Sequence, residues 1–315
     1  MKTLVLGAGA IGGYVGGRLQ QSGADVTFLV RPARREALMQ GGLVIKSTKG
    51  DITQTVKAVL SGAEGGPYDV VMLTCKAYDL DSAIAAVAPA IGADTVVVPL
   101  LNGMRHLDVL DAKFGAAKVA GGLARVGVAT SPKGEILHTS PFAAISFGER
   151  DGKAARPALV ALDAAVKKAG IDGGLHKNII QDAWDKWIML TTLAALCCLM
   201  RGTSGDILEA GEGEAIVRET VEECRKVAAA AGYDPGEKGM AGVATYLTQK
   251  GSRFAASMLH DLEKGSMVEA DHVVGDMIAR AKKAGIATPN LRLAYAHLQV
   301  YLARRARGGI GKPAL

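Results

Sequence analysis

Aromatic residues are scarce in this chain. Phe, Tyr and Trp make up 4% of 315 residues, so the interior has to be packed from aliphatic side chains. Cysteine is scarcer. The four, Cys75, Cys197, Cys198 and Cys224, fall at no metal-binding spacing. Cys197 and Cys198 are adjacent inside an apolar run, which reads as reduced core thiols in a cytoplasmic protein. No long hydrophobic run is present either. The most apolar stretch, 187–200, has 14 uncharged residues, against the roughly 20 that a membrane span needs. It reads as a buried core helix, and no membrane association is expected. The chain starts directly in a strand pattern, with no leader-like segment. Charge of one sign is also lacking. The 37 basic residues against 31 acidic ones give +6, scattered with no basic–aromatic stripe, and nucleic acid is excluded as a partner. A mildly basic balance suits an anionic cofactor and an acidic small-molecule substrate.

What is present begins at the first residues. An apolar run, 3–6, reads as a buried parallel strand. Gly7-Ala8-Gly9-Ala10-Ile11-Gly12 follows at once, and residues 14–21 continue at helical spacing. This is G-x-G-x-x-G between a strand and a helix, the dinucleotide-binding fingerprint. Gly7 makes the tight turn, Gly9 lets backbone approach a pyrophosphate, and Gly12 lets the helix lie close to the strand. The N–H groups at the helix start face the anion. In NAD enzymes an acid about 20 residues further on binds the ribose 2′-hydroxyl. Here the second strand, 25–30, is followed by Arg31, with Arg34 and Arg35 close behind. A cation suits a 2′-phosphate, so the cofactor is read as NADP(H) with Arg31 as the main contact. Arg34 and Arg35 read as solvating the start of the next helix.

The following segments alternate. A helix over 32–39, short strands at 43–45 and 56–60, a strand at 68–75, an Ala-rich helix at 82–91 and a strand at 95–101 make βαβ units and a parallel sheet. Ligands of such sheets lie beyond the carboxyl ends of the strands. The glycine loop, Lys76 and Asn102 stand at three of those ends and are expected around one crevice. Lys76 reads equally well as a plain strand terminator, and Asn102-Gly103 as a turn dipeptide. Residues 119–147 read as further strands with a hairpin turn at Pro132-Lys133-Gly134, followed by a helix at 154–169 and a glycine-rich break at 170–174. From 177 onward only helical periodicity remains, in six segments: 177–200, 206–232, 237–249, 253–264, 267–284 and 290–306. The tail after Arg304 is expected to fray. The fold expected is α/β with a parallel sheet over 1–172, then an all-α domain over 173–315.

Lys186 is the last charge before the apolar run. It reads either as an i, i+4 surface partner of Asp182, worth about 0.2–0.5 kcal/mol, or as a partly desolvated lysine at the mouth of an interdomain cleft, where burial fits an ammonium for proton transfer. Ser257 and Glu269 are twelve residues apart, too far to meet on one helix, and Gly265 between them is expected to break it. Ser266-Met267-Val268-Glu269 also fits a capping box, and on local evidence Glu269 is a cap. His106 falls in a predicted loop and reads as a structural histidine.

Taken in order, GAGAIGGYVGGRL (7–19), Arg31, CKAYD (75–79), LNGM (101–104), W-x-K (184–186), SMLHDLEKG (257–265) and VEAD (268–271) resemble the ketopantoate reductases, the 2-dehydropantoate 2-reductases. The resemblance covers nearly the whole chain. It implies a Rossmann domain followed by a helical substrate and dimerisation domain, and NADPH-dependent reduction of ketopantoate to D-pantoate on the route to pantothenate and coenzyme A. Carried over position by position, Lys186 and Glu269 are the implied catalytic residues, with Lys186 protonating the developing alkoxide. Asn102, Ser257 and Lys76 are the implied substrate contacts. Lys76, Asn102 and Glu269 join Gly7, Ala8, Gly9, Ala10, Ile11, Gly12 and Arg31 at the cofactor. No metal is implied, and the faces of the Ala/Leu-rich helices permit a homodimer. One departure stands out. The family usually carries asparagines one and two turns after the lysine, where this chain has Leu190 and Ala194. Losing two amide groups alters substrate selectivity rather than hydride chemistry. The competing readings are a paralogous 2-oxo acid reductase, a β-hydroxyacid dehydrogenase and a non-catalytic NADPH-binding sensor.

Overall fold

The computed structural model describes residues 1–310. It divides into two compact units: Met1–Leu101 with His106–Ile180, and Asn102–Arg105 with the chain from Gln181 onward.

In the first unit β1 (Lys2–Leu6), β2 (Asp25–Leu29), β5 (Lys57–Val59), β6 (Val70–Leu73) and β7 (Val96–Pro99) form one sheet, in the order β5-β2-β1-β6-β7. Every pairing in it is parallel. The inner strands are continuous apolar runs because both faces are covered: Val5, Phe28, Val70, Met72, Val96 and Val98 are all buried in one core. The chain leaves β1 in two directions, to β2 on one side and β6 on the other. That makes a topological switch point at the carboxyl end of β1, where the glycine loop begins. The covering helices include α1 (Ala10–Gln21), α2 (Pro32–Gly41) and α3 (Leu80–Val87).

A second sheet runs β10-β9-β3-β4, with β8 also paired to β9. β3 (Leu43–Ser47) and β4 (Ile52–Gln54) are antiparallel. β8 (Gly121–Thr130) and β9 (Ile136–Gly148) form the expected hairpin, turning at Pro132-Lys133-Gly134, where the Gly134 N–H donates to the Ser131 carbonyl. Two expectations fail here. Residues 105–114 form a helix, α4 (Arg105–Phe114), rather than a loop, and His106 is buried in its first turn. After α5 (Pro157–Lys168), the glycine-rich break is a strand, β10 (Asp172–Leu175), paired in parallel with β9. β-Pairing to β9 overrides the weak strand propensity of its two glycines. It also carries the strand-rich unit to Ile180, past the division expected at 172/173.

The second unit is helical. α6 (Ile179–Met200) has 22 residues, so the apolar run is shorter than the helix that carries it. By length and hydropathy α6 is the one helix among the described residues able to cross a bilayer, yet 61% of its most apolar window is buried inside the protein. Trp184, Trp187, Ile188 and Ala194 to Cys198 pack inward, so α6 is the core helix of this unit. The helix expected over 206–232 is two: α7 (Ser204–Glu209) and α8 (Gly213–Ala230). Thr203 and Asp206 close a reciprocal capping box at the start of α7. Next come α9 (Gly236–Leu247) and a shortened α10 (Ser257–Glu263), then a π-helical turn at Asp271–Gly275 that leads into α11 (Asp276–Lys283). α12 (Pro289–Ala306) stays helical beyond Arg304, residues 307–310 of the tail expected to fray form turns, and 311–315 lie outside the described residues.

Glu223 on α8 caps α12 from a distance. Its Oε1 and Oε2 accept the Asn290 and Leu291 N–H groups at 2.9 and 3.1 Å, just after Pro289. The side chain is buried, and burial raises its carboxyl above the usual glutamate range against the pull of those two donors. Because the folded value is the raised one, protonation of Glu223 favours the folded state, and the group does not promote acid unfolding. Glu223→Ala strands two N–H donors at the start of α12, one of them buried. It is expected to lower stability by about 1–3 kcal/mol in urea melts at neutral pH; an unchanged midpoint contradicts the cap.

Candidate active site

The glycine loop leaves β1 after Leu6 and enters α1 with Gly9 as the helix N-cap. No side chain caps that end and no acid lies in its first turn. The first N–H groups of a helix have no partner within it, so this end presents donors and positive dipole charge together. The glycines differ in what surrounds them. A Cβ on Gly12 would overlap the Gly7 carbonyl and Thr74 Oγ1, so the protein itself requires glycine there. A Cβ on Gly9 would meet nothing within 4 Å. The absent side chain at Gly9 therefore faces open space beside a helix N-terminus, which fits a dinucleotide pyrophosphate. Thr74, just past β6, braces the loop by donating to the Leu6 carbonyl at 2.7 Å.

Arg34 does more than solvate α2, as the sequence led us to expect. Its Nε donates to the Ala8 carbonyl at 2.9 Å and its Nη1 to the Gly134 carbonyl at 2.9 Å. It ties the glycine loop to the β8–β9 hairpin. Arg35 likewise turns inward, its Nε donating to the Ala58 carbonyl at 3.3 Å. Arg31 remains the outward cation. Its guanidinium, 75% exposed, follows β2 and meets Asp79 at 2.9 Å. Lys76 lies half-buried between β6 and a short 3₁₀ turn at Ala77–Asp79.

In the helical unit Lys186 stands half-buried on α6, and its Nζ donates to Asn102 Oδ1 at 2.9 Å. Asn102, three residues past the end of β7, groups with the helical unit. With Oδ1 turned to the ammonium, the Asn102 amide keeps its two N–H donors for another partner. One and two turns beyond Lys186, Leu190 is half-buried and Ala194 fully buried. Glu269 is 8% exposed. The Ser266–Glu269 capping box does not form, because residues 266–269 are not helical and the helix starts at Ala270. Ser257 opens α10 and is exposed.

Three residues after Glu269 lies His272, buried, which the sequence reading missed. Burial lowers its imidazole pKa from the usual histidine value, against opposing pulls from Glu269 and Asp276. A single histidine three residues after a glutamate carries no motif. Its approach to the Asn102–Gly103 turn joins positions about 170 residues apart (272 against 102), and only the fold reveals it.

The contrast between the two loop glycines gives a direct check. Gly9→Ala is expected to keep the melting temperature while weakening dinucleotide binding at least about tenfold, because backbone approach is lost. Gly12→Ala is expected to lower the melting temperature itself. Calorimetric titration with NADPH and thermal melting of both variants separate the two effects. Equal behaviour of the pair contradicts the assignment.

Comparison with known proteins gives the family of the chain. Residues 3–152 match the family described as ketopantoate reductase PanE/ApbA, and residues 178–302 match its C-terminal family. An oxidoreductase of Bacillus subtilis, YkpB, described as uncharacterized, is 37% identical over 309 residues, covering 97% of this chain and 100% of that one. A 2-dehydropantoate 2-reductase of Archaeoglobus fulgidus is 26% identical over 285 residues, covering 90% of this chain and 92% of its own. The crystal structure of the 2-dehydropantoate 2-reductase from Geobacter metallireducens superposes with a TM-score of 0.87 at 27% identity, over 95% of this chain and 99% of that one. With both family regions matched in order, the chain is a member of the ketopantoate reductase family of oxidoreductases.

Proposed function

We propose that the protein is an NADPH-dependent reductase of 2-oxo acids, with ketopantoate, reduced to D-pantoate for pantothenate and coenzyme A synthesis, as its first candidate substrate. The observation that carries this reading is the Lys186–Asn102 pair at 2.9 Å in a chain of this family. Gly7 to Gly12 and the α1 N-terminus hold the pyrophosphate. Arg31, now paired with Asp79, takes the 2′-phosphate. NADPH, when bound, supplies a hydride. Lys186 does the protein's share of the chemistry: its ammonium polarises the 2-oxo group and donates the proton that completes the hydroxyl. Asn102 holds Nζ in place and offers its amide N–H groups to substrate. Glu269, Ser257 and Lys76 complete the proposed substrate and cofactor contacts.

Leu190 and Ala194 favour a second reading, a paralogue that prefers 2-oxo acids with a less polar side chain. Where a hydroxyl-bearing substrate needs amide partners, this helix face offers a half-buried leucine and a buried alanine. The reading extends to a homodimer, for which Leu293 and Val300, 62% and 60% exposed and two turns apart on α12, supply an apolar face. The setting proposed is the cytoplasm, in keeping with four free thiols, three of them buried.

NADPH oxidation against ketopantoate and a panel of other 2-oxo acids, with Lys186→Ala in parallel, tests the proposal. Turnover of ketopantoate, lost by about 10²-fold or more in the variant with NADPH binding kept, is the expected result. Turnover confined to less polar acids selects the paralogue. Binding of NADPH with no turnover of any acid contradicts the proposal and makes the protein a sensor.

A further inference from the structure

Four contacts in the helical unit close a ring around Asn102. Lys186 Nζ on α6 donates to Asn102 Oδ1 at 2.9 Å. Trp187, the next residue on α6, donates its indole N–H to the Val273 carbonyl at 3.0 Å, and Thr191 Oγ1 reaches the same oxygen at 3.3 Å. Val273 lies in the π-helical turn Asp271–Gly275, beside His272. The His272 ring in turn lies with its Cδ2–Nε2 edge against the Asn102–Gly103 turn, and an interaction with the Asn102 main chain pulls its imidazole pKa upward. A π turn breaks the regular i→i−4 ladder, and here side chains from α6 take up a carbonyl within it. The turn is thereby pinned to the same helix that carries Lys186.

The fit at the far side of the ring is close. Gly103, at φ +78°, sits against His272 so tightly that a Cβ there would lie 2.9 Å from the ring Cδ2 and 2.9 Å from the His272 carbonyl. Both the positive φ and the approach require glycine. His272 is 7% exposed. One edge of the ring therefore lies against the Asn102–Gly103 turn, packed on residue 103 beside the main chain of residue 102.

We propose that His272 is a positioning residue: by gripping the Asn102–Gly103 turn it holds Asn102 Oδ1 toward Lys186 Nζ, and so sets where the ammonium points. The proposal rests on the reading of Lys186 as the proton donor. His272 touches neither the donated proton nor the hydride. The effect proposed for it runs through Asn102.

The test uses the full chain in three forms: wild type, His272→Phe, which keeps a ring but no donor, and His272→Gln, whose amide N–H reaches toward the edge that the ring presents to Gly103. The Phe variant is expected to lose at least about tenfold in kcat with NADPH binding unchanged, and the Gln variant to recover to within about threefold of wild type, as displacement of a catalytic group predicts. If the Phe variant melts early, His272→Asn, polar but one bond shorter, replaces it. An unimpaired Phe variant, or equal losses in Phe and Gln, overturns the proposal. Amide exchange of the peptide spanning 100–106 supplies a readout that needs no substrate. Faster exchange in Phe than in Gln or wild type supports the grip, and equal exchange in all three overturns it. Wild type that reduces no 2-oxo acid would sink the proposed activity and leave the exchange result to decide the grip.

Discussion

One hydrogen bond, from Lys186 Nζ to Asn102 Oδ1, is what the proposed chemistry depends on. A lysine on a long helix is a flexible point charge. It becomes a directed donor only when something fixed accepts from it. Asn102 is fixed because its own main chain is gripped by His272, and His272 is fixed because α6 holds the π turn through Trp187 and Thr191. The helix that carries the charge thus also carries the residues that orient its acceptor. α6 carries both the long apolar run and the candidate proton donor, and burial of Trp184, Trp187 and Ile188 seats it in the core of its unit.

The strand-rich unit solves a different problem, that of binding an anion with backbone. Its parallel sheet reverses order at β1, and the loop there is braced on three sides. Thr74 bonds the Leu6 carbonyl, Arg34 bonds the Ala8 carbonyl, and the Gly12 position admits no side chain. The open space lies over Gly9, beside the α1 N-terminus. Arg31 stays exposed, held only by a surface ion pair with Asp79. Such pairs are worth little in water, so a phosphate can replace the carboxylate at small cost.

Much of this is legible in the chain because its causes are local. The glycine loop is written within six residues, the βαβ alternation within windows of about a dozen, and the apolar run of α6 within one helix. Arg31 and Lys186 stand at positions defined by those local patterns. What stays hidden depends on distant partners. The two glycines of β10 read as a break until β9 pairs with them. α4 is masked by the Asn102-Gly103 turn before it. The Ser266 box looks like a cap, but the helix waits until Ala270 because the π turn is held from α6. Arg34 reads as a solvated helix start, and its true partner at Gly134 is 100 residues away. His272 is invisible for the same reason.

Deuterium transfer tests the central claim most directly. The protein would be incubated with NADPH deuterated at either face of C4 and with the best 2-oxo acid, and the product examined by mass spectrometry. The account predicts a 2-hydroxy acid that carries one deuterium at C2 from one face of the cofactor only, formed far more slowly by Lys186→Ala. A product without deuterium from either face, or one formed equally fast without the lysine, would contradict it.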